Sequence, residues 1–239
     1  EIKVLRLNNY TSAAVFLDSD ELVYDYLKFY RIGELIQPKL QHTLMIGGSV
    51  CTFSKDLLNR HRDVKVDVIE IDEELIQIAH GDFGLPTNNR LQFFYEDART
   101  YLNRNTKKYD MIYSDAFVTA TDLPYQLTTH EAVQKCSESL TYSGAYILNV
   151  ISALSPDKRE FLDKQFNTCK SIFPFVYLFQ VEPTIDFDQL QSVCLVATKL
   201  PLMLEKSIPK EHFYFERLIT KQVTKTAIFT DDQIDYLPY

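Results

Sequence analysis

Residues 43–72 constrain the fold of this 239-residue chain more than any other stretch. An apolar run ends in Gly47 and Gly48, a segment of helical length follows, and a second apolar run ends in Glu70. This order predicts two parallel strands joined by a helix, with a glycine turn after the first strand and a carboxylate at the tip of the second. Glycine permits a sharp turn and lets a ligand approach the backbone closely.

This βαβ unit is suited to binding a nucleoside. Glu70 lies 23 positions after Gly47, at the carboxyl end of a predicted strand. A carboxylate there can accept hydrogen bonds from both ribose hydroxyls. The dinucleotide pattern G-x-G-x-x-G is absent, because Ser49, Val50 and Cys51 follow the glycines. A nucleoside without phosphates, such as an adenosyl sulfonium, therefore fits better, and a plain tight turn is the alternative explanation of the glycines.

Length, charge and cysteine content narrow the class of protein. The length suits one large domain, or one domain with a small appendage. The net charge of −8 argues against nucleic-acid binding and would favour a cationic small molecule such as an amine. Four widely spaced cysteines, with no Cys/His cluster, indicate reduced thiols and no metal site. With no signal peptide and no apolar run near about 18 residues, we expect a cytoplasmic protein that does not bind membranes.

Strand and helix patterns alternate along the chain. A β-ribbon is predicted within residues 1–19, turning at Asn8-Asn9, and a helix over 21–36. The later strands are predicted at 43–46, 65–70, 91–95, 109–114, 145–150, 175–180 and 192–197, the last two as an antiparallel pair. The helices between them are predicted at 52–60, 73–80, 98–103, 128–140 and 156–172.

This alternation predicts an α/β fold with a doubly wound, mostly parallel seven-stranded sheet of the Rossmann type. Residues 1–40 form a small N-terminal β appendage in this interpretation, and residues 41–239 form the ligand-binding domain. Residues 201–239 give no clear pattern.

Acidic residues follow two further strands of the predicted sheet. Ligands of such sheets bind beyond the carboxyl ends of the strands. Asp97 lies there after the third strand, where it could accept a hydrogen bond from an adenine amino group or cap the next helix. Asp115 follows the fourth strand, where it could lie beside a reacting centre or cap the loop.

The motifs occur in a recognisable order. They include Leu44-Met45-Ile46-Gly47-Gly48, Val68-Ile69-Glu70-Ile71-Asp72 and segments 83–86, 90–91, 96–99, 109–117, 123–131 and 144–149. Together they resemble the spermidine synthase family of polyamine aminopropyltransferases, and more closely its spermidine-synthase-like branch. Residues 21–26 are similar to the family's segment ahead of the core, and the resemblance covers roughly residues 10–150.

The resemblance implies a class I methyltransferase-like fold and an adenosyl ligand. That ligand would be decarboxylated S-adenosylmethionine, S-adenosylmethionine or the methylthioadenosine product, with no metal. The implied nucleoside contacts are the ribose with Glu70 and the neighbouring Ile71, the adenine with Asp97 and Ala98, and the sulfonium side chain with Gly47 and Gly48. Asp115 would match the family's catalytic acid.

The implied chemistry is displacement at a carbon next to the sulfonium by a neutral amine. Asp115 could orient that amine and take its proton. Tyr24 and Gln126 are candidate contacts to the acceptor, with an ordinary surface or core role as the alternative. Three hypotheses stay open: an aminopropyltransferase-like enzyme, an S-adenosylmethionine-dependent methyltransferase, and a non-catalytic adenosyl-binding protein. A homodimer is expected from the family.

Three places depart from the family's pattern. Ser49 and Cys51 stand where glycines are expected, which predicts a narrower pocket. Val118 stands where a second aspartate would hold the distal ammonium of a diamine, and Asp122 could substitute for it. The family's Tyr-His-Glu pattern reads Tyr24-Asp25-Tyr26 here.

Overall fold

A seven-stranded sheet forms the centre of the molecule. It is seen in a computed structural model that describes residues 1–7, 10–205, 207–220 and 223–232. Its strands are β3 (His42–Ile46), β4 (Lys65–Ile69), β5 (Leu91–Phe94), β6 (Tyr109–Ser114), β7 (Leu140–Ser152), β8 (Phe175–Gln180) and β9 (Gln191–Thr198). Their order is β5-β4-β3-β6-β7-β9-β8. Six strands run in the same direction, and β9 runs in the opposite direction. The predicted doubly wound, mostly parallel sheet is therefore confirmed.

Helices cover both faces of this sheet. They are α1 (Asp25–Phe29), α2 (Gly33–Ile36), α3 (Thr52–Arg60), α4 (Glu73–Asp82), α5 (Ala98–Arg104), α6 (Tyr125–Thr128), α7 (His130–Ser139), α8 (Glu160–Lys170) and α9 (Pro209–Phe215). A separate antiparallel ribbon consists of β1 (Ile2–Leu7) and β2 (Tyr10–Phe16). The ribbon is the predicted N-terminal appendage, and its predicted turn at Asn8-Asn9 lies outside the described residues.

The hydrophobic core is divided by the sheet into two layers. Along β3, Leu44 and Ile46 face one layer, while Met45 between them faces the other. This alternation follows from the period of two residues in a strand, and both faces are apolar because helices cover both. Phe29 and Ile32 of the N-terminal segment are fully buried in the same layer as Met45. The domain boundary at residue 40 stays a prediction.

The helix predicted over 21–36 is wrong at its start. Leu22 pairs with Val15 in an antiparallel bridge, so the chain is still extended there and α1 begins only at Asp25. A 3-10 turn, Tyr30–Ile32, then separates α1 from α2. Tertiary pairing with β2 overrides the local helical pattern at this position.

Three other helix predictions need correction. The helix over 73–80 continues through Gly81 to Asp82, so that glycine does not end it. The helix over 128–140 begins only at His130 and ends at Ser139, because the side chain of Thr129 caps its start by accepting a hydrogen bond from the amide of Ala132; Thr128 ends the preceding short helix α6. The helix over 156–172 begins at Glu160, after a turn closed by the bond from the amide of Lys158 to the carbonyl of Ser155.

The sheet's topology creates a crevice between β3 and β6, at the carboxyl ends of the strands. The chain moves from β3 to β4 on one side and reaches β6 on the other side of β3, so the connections diverge at this point. Crevices of this kind, at the carboxyl ends of the strands, are where open α/β sheets bind ligands. Within the described residues, the helices are too short or too polar to cross a membrane.

Candidate functional site

A cavity of about 590 Å³ lies at this crevice. Its walls come from the carboxyl ends of β3, β4, β6 and β7 and from the ribbon, which contributes Leu7, Tyr10, Thr11 and Ser12. The volume falls within the roughly 300–1,000 Å³ of small-molecule sites. It therefore suits a ligand of nucleoside size together with a small second substrate.

The glycine turn lies against the end of β6. Gly47 has a φ of +72°, and a Cβ atom there would lie 2.8 Å from the carbonyl oxygen of Asp115 and from Cα of Ala116. A side chain would meet backbone on that side, so only glycine fits. Gly48 is constrained as well, because its Cβ would lie 2.8 Å from the side chain of Val68.

The positions after the glycines keep a left-handed backbone although they carry side chains. Ser49 has a φ of 44° and Cys51 a φ of 59°. Ser49 lines the cavity, and its hydroxyl lies 3.0 Å from the hydroxyl of Ser12 in the ribbon. Cys51 is buried and lines a separate small cavity of about 20 Å³. Of the two substitutions expected to narrow the pocket, Ser49 is therefore the one at its wall.

Glu70 binds the glycine turn as well as facing the cavity. Its Oε2 accepts hydrogen bonds from the amides of Gly48 and Ser49, at 3.1 Å each, and its Oε1 accepts one from Asp72 at 3.2 Å. Oε2 thereby uses both of its lone pairs, whereas Oε1 has one left, which leaves acceptor capacity for a ribose hydroxyl. Ile71 lines the same cavity and is 73% exposed.

Asp97 has the capping role that the sequence allowed. Its Oδ1 accepts a hydrogen bond from the amide of Thr100 at 2.9 Å, at the start of α5. Its Oδ2 accepts one from Nε2 of Gln126 at 3.3 Å. Asp97, Ala98 and Gln126 all line the cavity. Gln126 therefore lies beside Asp97, the residue predicted to contact the adenine. A contact between Gln126 and an amine acceptor stays a prediction.

Asp115 is held by two side chains from distant parts of the chain. Its Oδ2 accepts a hydrogen bond from the hydroxyl of Tyr26 at 2.8 Å, and its Oδ1 accepts one from Nδ2 of Asn149 at 3.2 Å. Burial raises the pKa of Asp115 to about 6, and these two hydrogen bonds oppose the rise because they favour the charged form. At neutral pH the carboxyl is therefore mostly ionised and close to its midpoint, as a general base requires.

Two tyrosines flank this carboxylate. Tyr24 lines the cavity, and its ring stacks on that of Tyr26, with centroids 5.9 Å apart and planes at 19°. Burial and the charge of Asp115 raise the pKa of Tyr26 well above its usual range, so it remains a donor. Tyr24 thus lies next to Tyr26 at the cavity wall, while Tyr26 makes the direct contact with Asp115.

Sequence reasoning missed Tyr26, Asn149 and Glu182 as site residues. Asn149 lies near the carboxyl end of β7, which carries none of the glycines or acids that mark the ends of β3, β4, β5 and β6. Glu182 lies just beyond β8 and lines the same cavity. Tyr26 stood out only as a departure from the family's Tyr-His-Glu pattern, and its contact with Asp115, 89 positions away, could not be inferred from local sequence.

The cavity is lined by acids. Six carboxylic acids contribute to its wall: Asp25, Glu70, Glu96, Asp97, Asp115 and Glu182. Among the described residues that line it, none is lysine, arginine or histidine. Such a wall favours cationic ligands and repels anionic ones.

The loop after β6 does not supply the expected substitute acid. Val118 lines the cavity, as its position predicts. The carboxylate of Asp122 instead accepts hydrogen bonds from the hydroxyls of Thr119, at 2.6 Å, and Thr121, at 3.3 Å, on the exposed loop. The prediction that Asp122 replaces the missing aspartate is therefore wrong: the loop's own hydroxyls bind it.

Sheet order, glycine turn and acidic strand tips together define a Rossmann-like methyltransferase fold. Solved structures share it. A probable spermidine synthase from Corynebacterium glutamicum ATCC 13032 matches with a TM-score of 0.76 and 19% identity, over 87% of this chain and 75% of the other. Human methyltransferase-like protein 13, solved in complex with SAH, matches with a TM-score of 0.65 and 18% identity, over 79% of this chain and 87% of the other. At these identities the likeness shows the fold alone.

The family follows from the sequence match. The spermine/spermidine synthase domain model matches residues 28–200, most of the chain, so this chain belongs to that family. A polyamine aminopropyltransferase of Vibrio vulnificus (strain CMCP6) is 27% identical over 163 residues, covering 67% of this chain and 52% of the relative. The chain spans about half the length of the curated relatives that it matches.

Proposed function

We propose that this chain transfers an aminopropyl group from decarboxylated S-adenosylmethionine to an amine. The acid-lined cavity carries this proposal. Both substrates are cations, and the carboxylates around the cavity would attract them. The family membership and the aminopropyltransferase activity named for the Vibrio relative support the same reaction.

The nucleoside would occupy the part of the cavity beside β3 and β4. Glu70 would accept a hydrogen bond from the ribose with the lone pair of Oε1 that the backbone amides leave free. Asp97 and Ala98 would contact the adenine, and Gly47 would let the aminopropyl arm pass close to the backbone toward Asp115. This arrangement would place the sulfonium next to the carboxylate that is to act as base.

Asp115 would serve the displacement directly. The amine's lone pair forms a bond to the carbon next to the sulfonium, the C–S bond breaks, and its electrons neutralise the sulfur, releasing methylthioadenosine. The nitrogen becomes positively charged in this step and gives a proton to Asp115. The hydrogen bonds from Tyr26 and Asn149 fix the carboxylate, so an amine bound to it would be oriented for attack.

Methyl transfer from intact S-adenosylmethionine is the competing reaction on this fold. That ligand carries a carboxylate, which proteins usually bind with a cationic side chain or with backbone amides. The described part of the cavity wall contains acidic side chains and no lysine, arginine or histidine that could bind this carboxylate. The decarboxylated ligand avoids this repulsion and is therefore favoured.

Calorimetric binding of three ligands to the purified chain tests the proposal. The ligands are decarboxylated S-adenosylmethionine, S-adenosylmethionine and methylthioadenosine. We expect the decarboxylated form to bind at least about tenfold more tightly than the intact form, because the acids of the cavity wall repel the carboxylate that only the intact form carries. A preference for intact S-adenosylmethionine would replace the proposal with methyl transfer. Failure to bind any of the three would contradict both reactions.

A further inference from the structure

A second charged position lies in the same cavity as Asp115. Glu182 follows β8, which lies at the edge of the sheet beyond β7 and β9. It lines the cavity together with Ile151 and Ser192, which are paired across β7 and β9. Its carboxylate makes no ion pair with the described residues, so its charge is available to a ligand.

The backbone around Glu182 is held in place. Its carbonyl accepts hydrogen bonds from the amide of Ile185 at 3.1 Å and from the buried side chain of Gln180 at 3.2 Å. The same side chain also reaches the carbonyl of Ile185 at 3.1 Å and the amide oxygen of Gln191 at 2.9 Å. These hydrogen bonds fix the backbone that carries the Glu182 side chain at the cavity wall.

An unsatisfied acceptor lies between the two carboxylates. Asn149 is 3% exposed and lines the cavity, and its Oδ1 is buried without a hydrogen-bond partner. The amide orientation is fixed, because its Nδ2 must be the atom that donates to the carboxylate of Asp115. A buried carbonyl without a donor is costly, so a ligand that supplies an N–H there is favoured.

The span between the carboxylates limits the ligand. β6 and β8 are separated by two strands, and three strand spacings of about 4.8 Å place their backbones roughly 14 Å apart. A ligand that contacts both carboxylates must therefore be extended, with its two nitrogens at opposite ends. The apolar side chain of Ile151 lines the cavity between the two ends, where a methylene chain would lie.

We propose that Glu182 determines acceptor specificity, by binding a second positive charge of an amine whose reacting nitrogen lies at Asp115 and Asn149. This inference rests on the proposed aminopropyl transfer. It assigns the selection of a linear diamine to the turn after β8, in place of the loop after β6, where Val118 carries no charge.

Matched acceptors test the assignment. n-Butylamine and its terminal diamine have the same carbon chain and differ by one ammonium group. The wild-type chain should use the diamine with a kcat/KM roughly 10- to 100-fold higher, the value of a charge-assisted hydrogen bond. Glu182→Gln should remove most of this preference, because it should raise KM for the diamine several-fold more than KM for n-butylamine or for the sulfonium substrate.

A control on the same turn separates charge from position. Asp186 lies four residues further on and is exposed, so Asp186→Asn should leave the preference intact. Glu182→Lys should penalise the diamine further, and more strongly than it penalises n-butylamine. Equal use of both acceptors by the wild-type chain, or a preference that survives in Glu182→Gln, would overturn the role of Glu182 and leave aminopropyl transfer standing. Absence of transfer to every amine would overturn aminopropyl transfer and this assignment together.

Discussion

The hydroxyl of Tyr26 donates a hydrogen bond of 2.8 Å to Oδ2 of Asp115, across 89 positions of sequence. Tyr26 belongs to α1 in the N-terminal segment, and Asp115 follows β6 in the centre of the sheet. The segment ahead of the seven-stranded sheet thus contributes a direct contact to Asp115. Because the hydrogen bond favours the charged carboxylate, it opposes the burial that raises the pKa of Asp115 to about 6.

Tyr26→Phe should shift the pH profile of transfer. Removing the hydrogen bond disfavours the charged form of Asp115, so its pKa should rise by roughly one unit and the acidic limb should move to higher pH by the same amount. The measurement is kcat between pH 5 and 9 at saturating substrates. The acceptor's own titration is common to both proteins and cancels in the comparison. Tyr24→Phe is the matched control and should leave the limb in place, and an unmoved limb in Tyr26→Phe would show that the hydrogen bond does not tune the base.

Asp115→Asn should abolish transfer and largely spare nucleoside binding. The amide cannot take the proton of the attacking amine, which costs roughly 10²- to 10⁴-fold in kcat. Methylthioadenosine does not require that proton acceptor, so its affinity by calorimetry should change little. A variant with full activity would remove Asp115 from the chemistry.

Glu70→Gln should weaken nucleoside binding and loosen the glycine turn. A glutamine has one acceptor oxygen, and the amides of Gly48 and Ser49 already occupy one carboxylate oxygen. We expect the affinity for methylthioadenosine to fall by about tenfold or more, together with a lower Tm. Glu96→Gln is the control, because Glu96 lines the cavity but its carboxylate is bound to Arg104. Equal affinities for Glu70→Gln and wild type would contradict the ribose assignment.

Gly47→Ala and Gly81→Ala should have opposite effects on stability. At Gly47 the new Cβ would meet the backbone of Asp115 and Ala116 at 2.8 Å with a positive φ, so unfolding free energy should fall by roughly 2 kcal/mol or more. Gly81 lies near the end of α4 with nothing within 4 Å of a Cβ, and alanine there should stabilise the fold by about 0.5–1 kcal/mol. Urea denaturation of both variants measures the difference. Similar stabilities would mean that the turn can move away from β6.

Where the sequence pattern is local, it predicted the structure closely. The helix Thr52–Arg60 and the strand Tyr109–Ser114 match their predicted ranges, because periodicity and flanking turn residues fix them. The capping alternative for Asp97 was likewise readable from its place before α5. The start of α1 was not, since it depends on the pairing of Leu22 with Val15 in the ribbon.

By itself the sequence determined the alternating α/β order, the glycine turn, and the acids at the strand tips, because each depends on residues within a few positions of one another. The tertiary structure alone decided which side chains contact the acids and which acids line the cavity. It connected Asp115 to Tyr26 and Asn149, bound Asp122 to its own loop, and brought Glu182 into the cavity wall. Sheet order sets these distances: β3 lies beside β6, and β7 beside β9, although other strands lie between them in the chain.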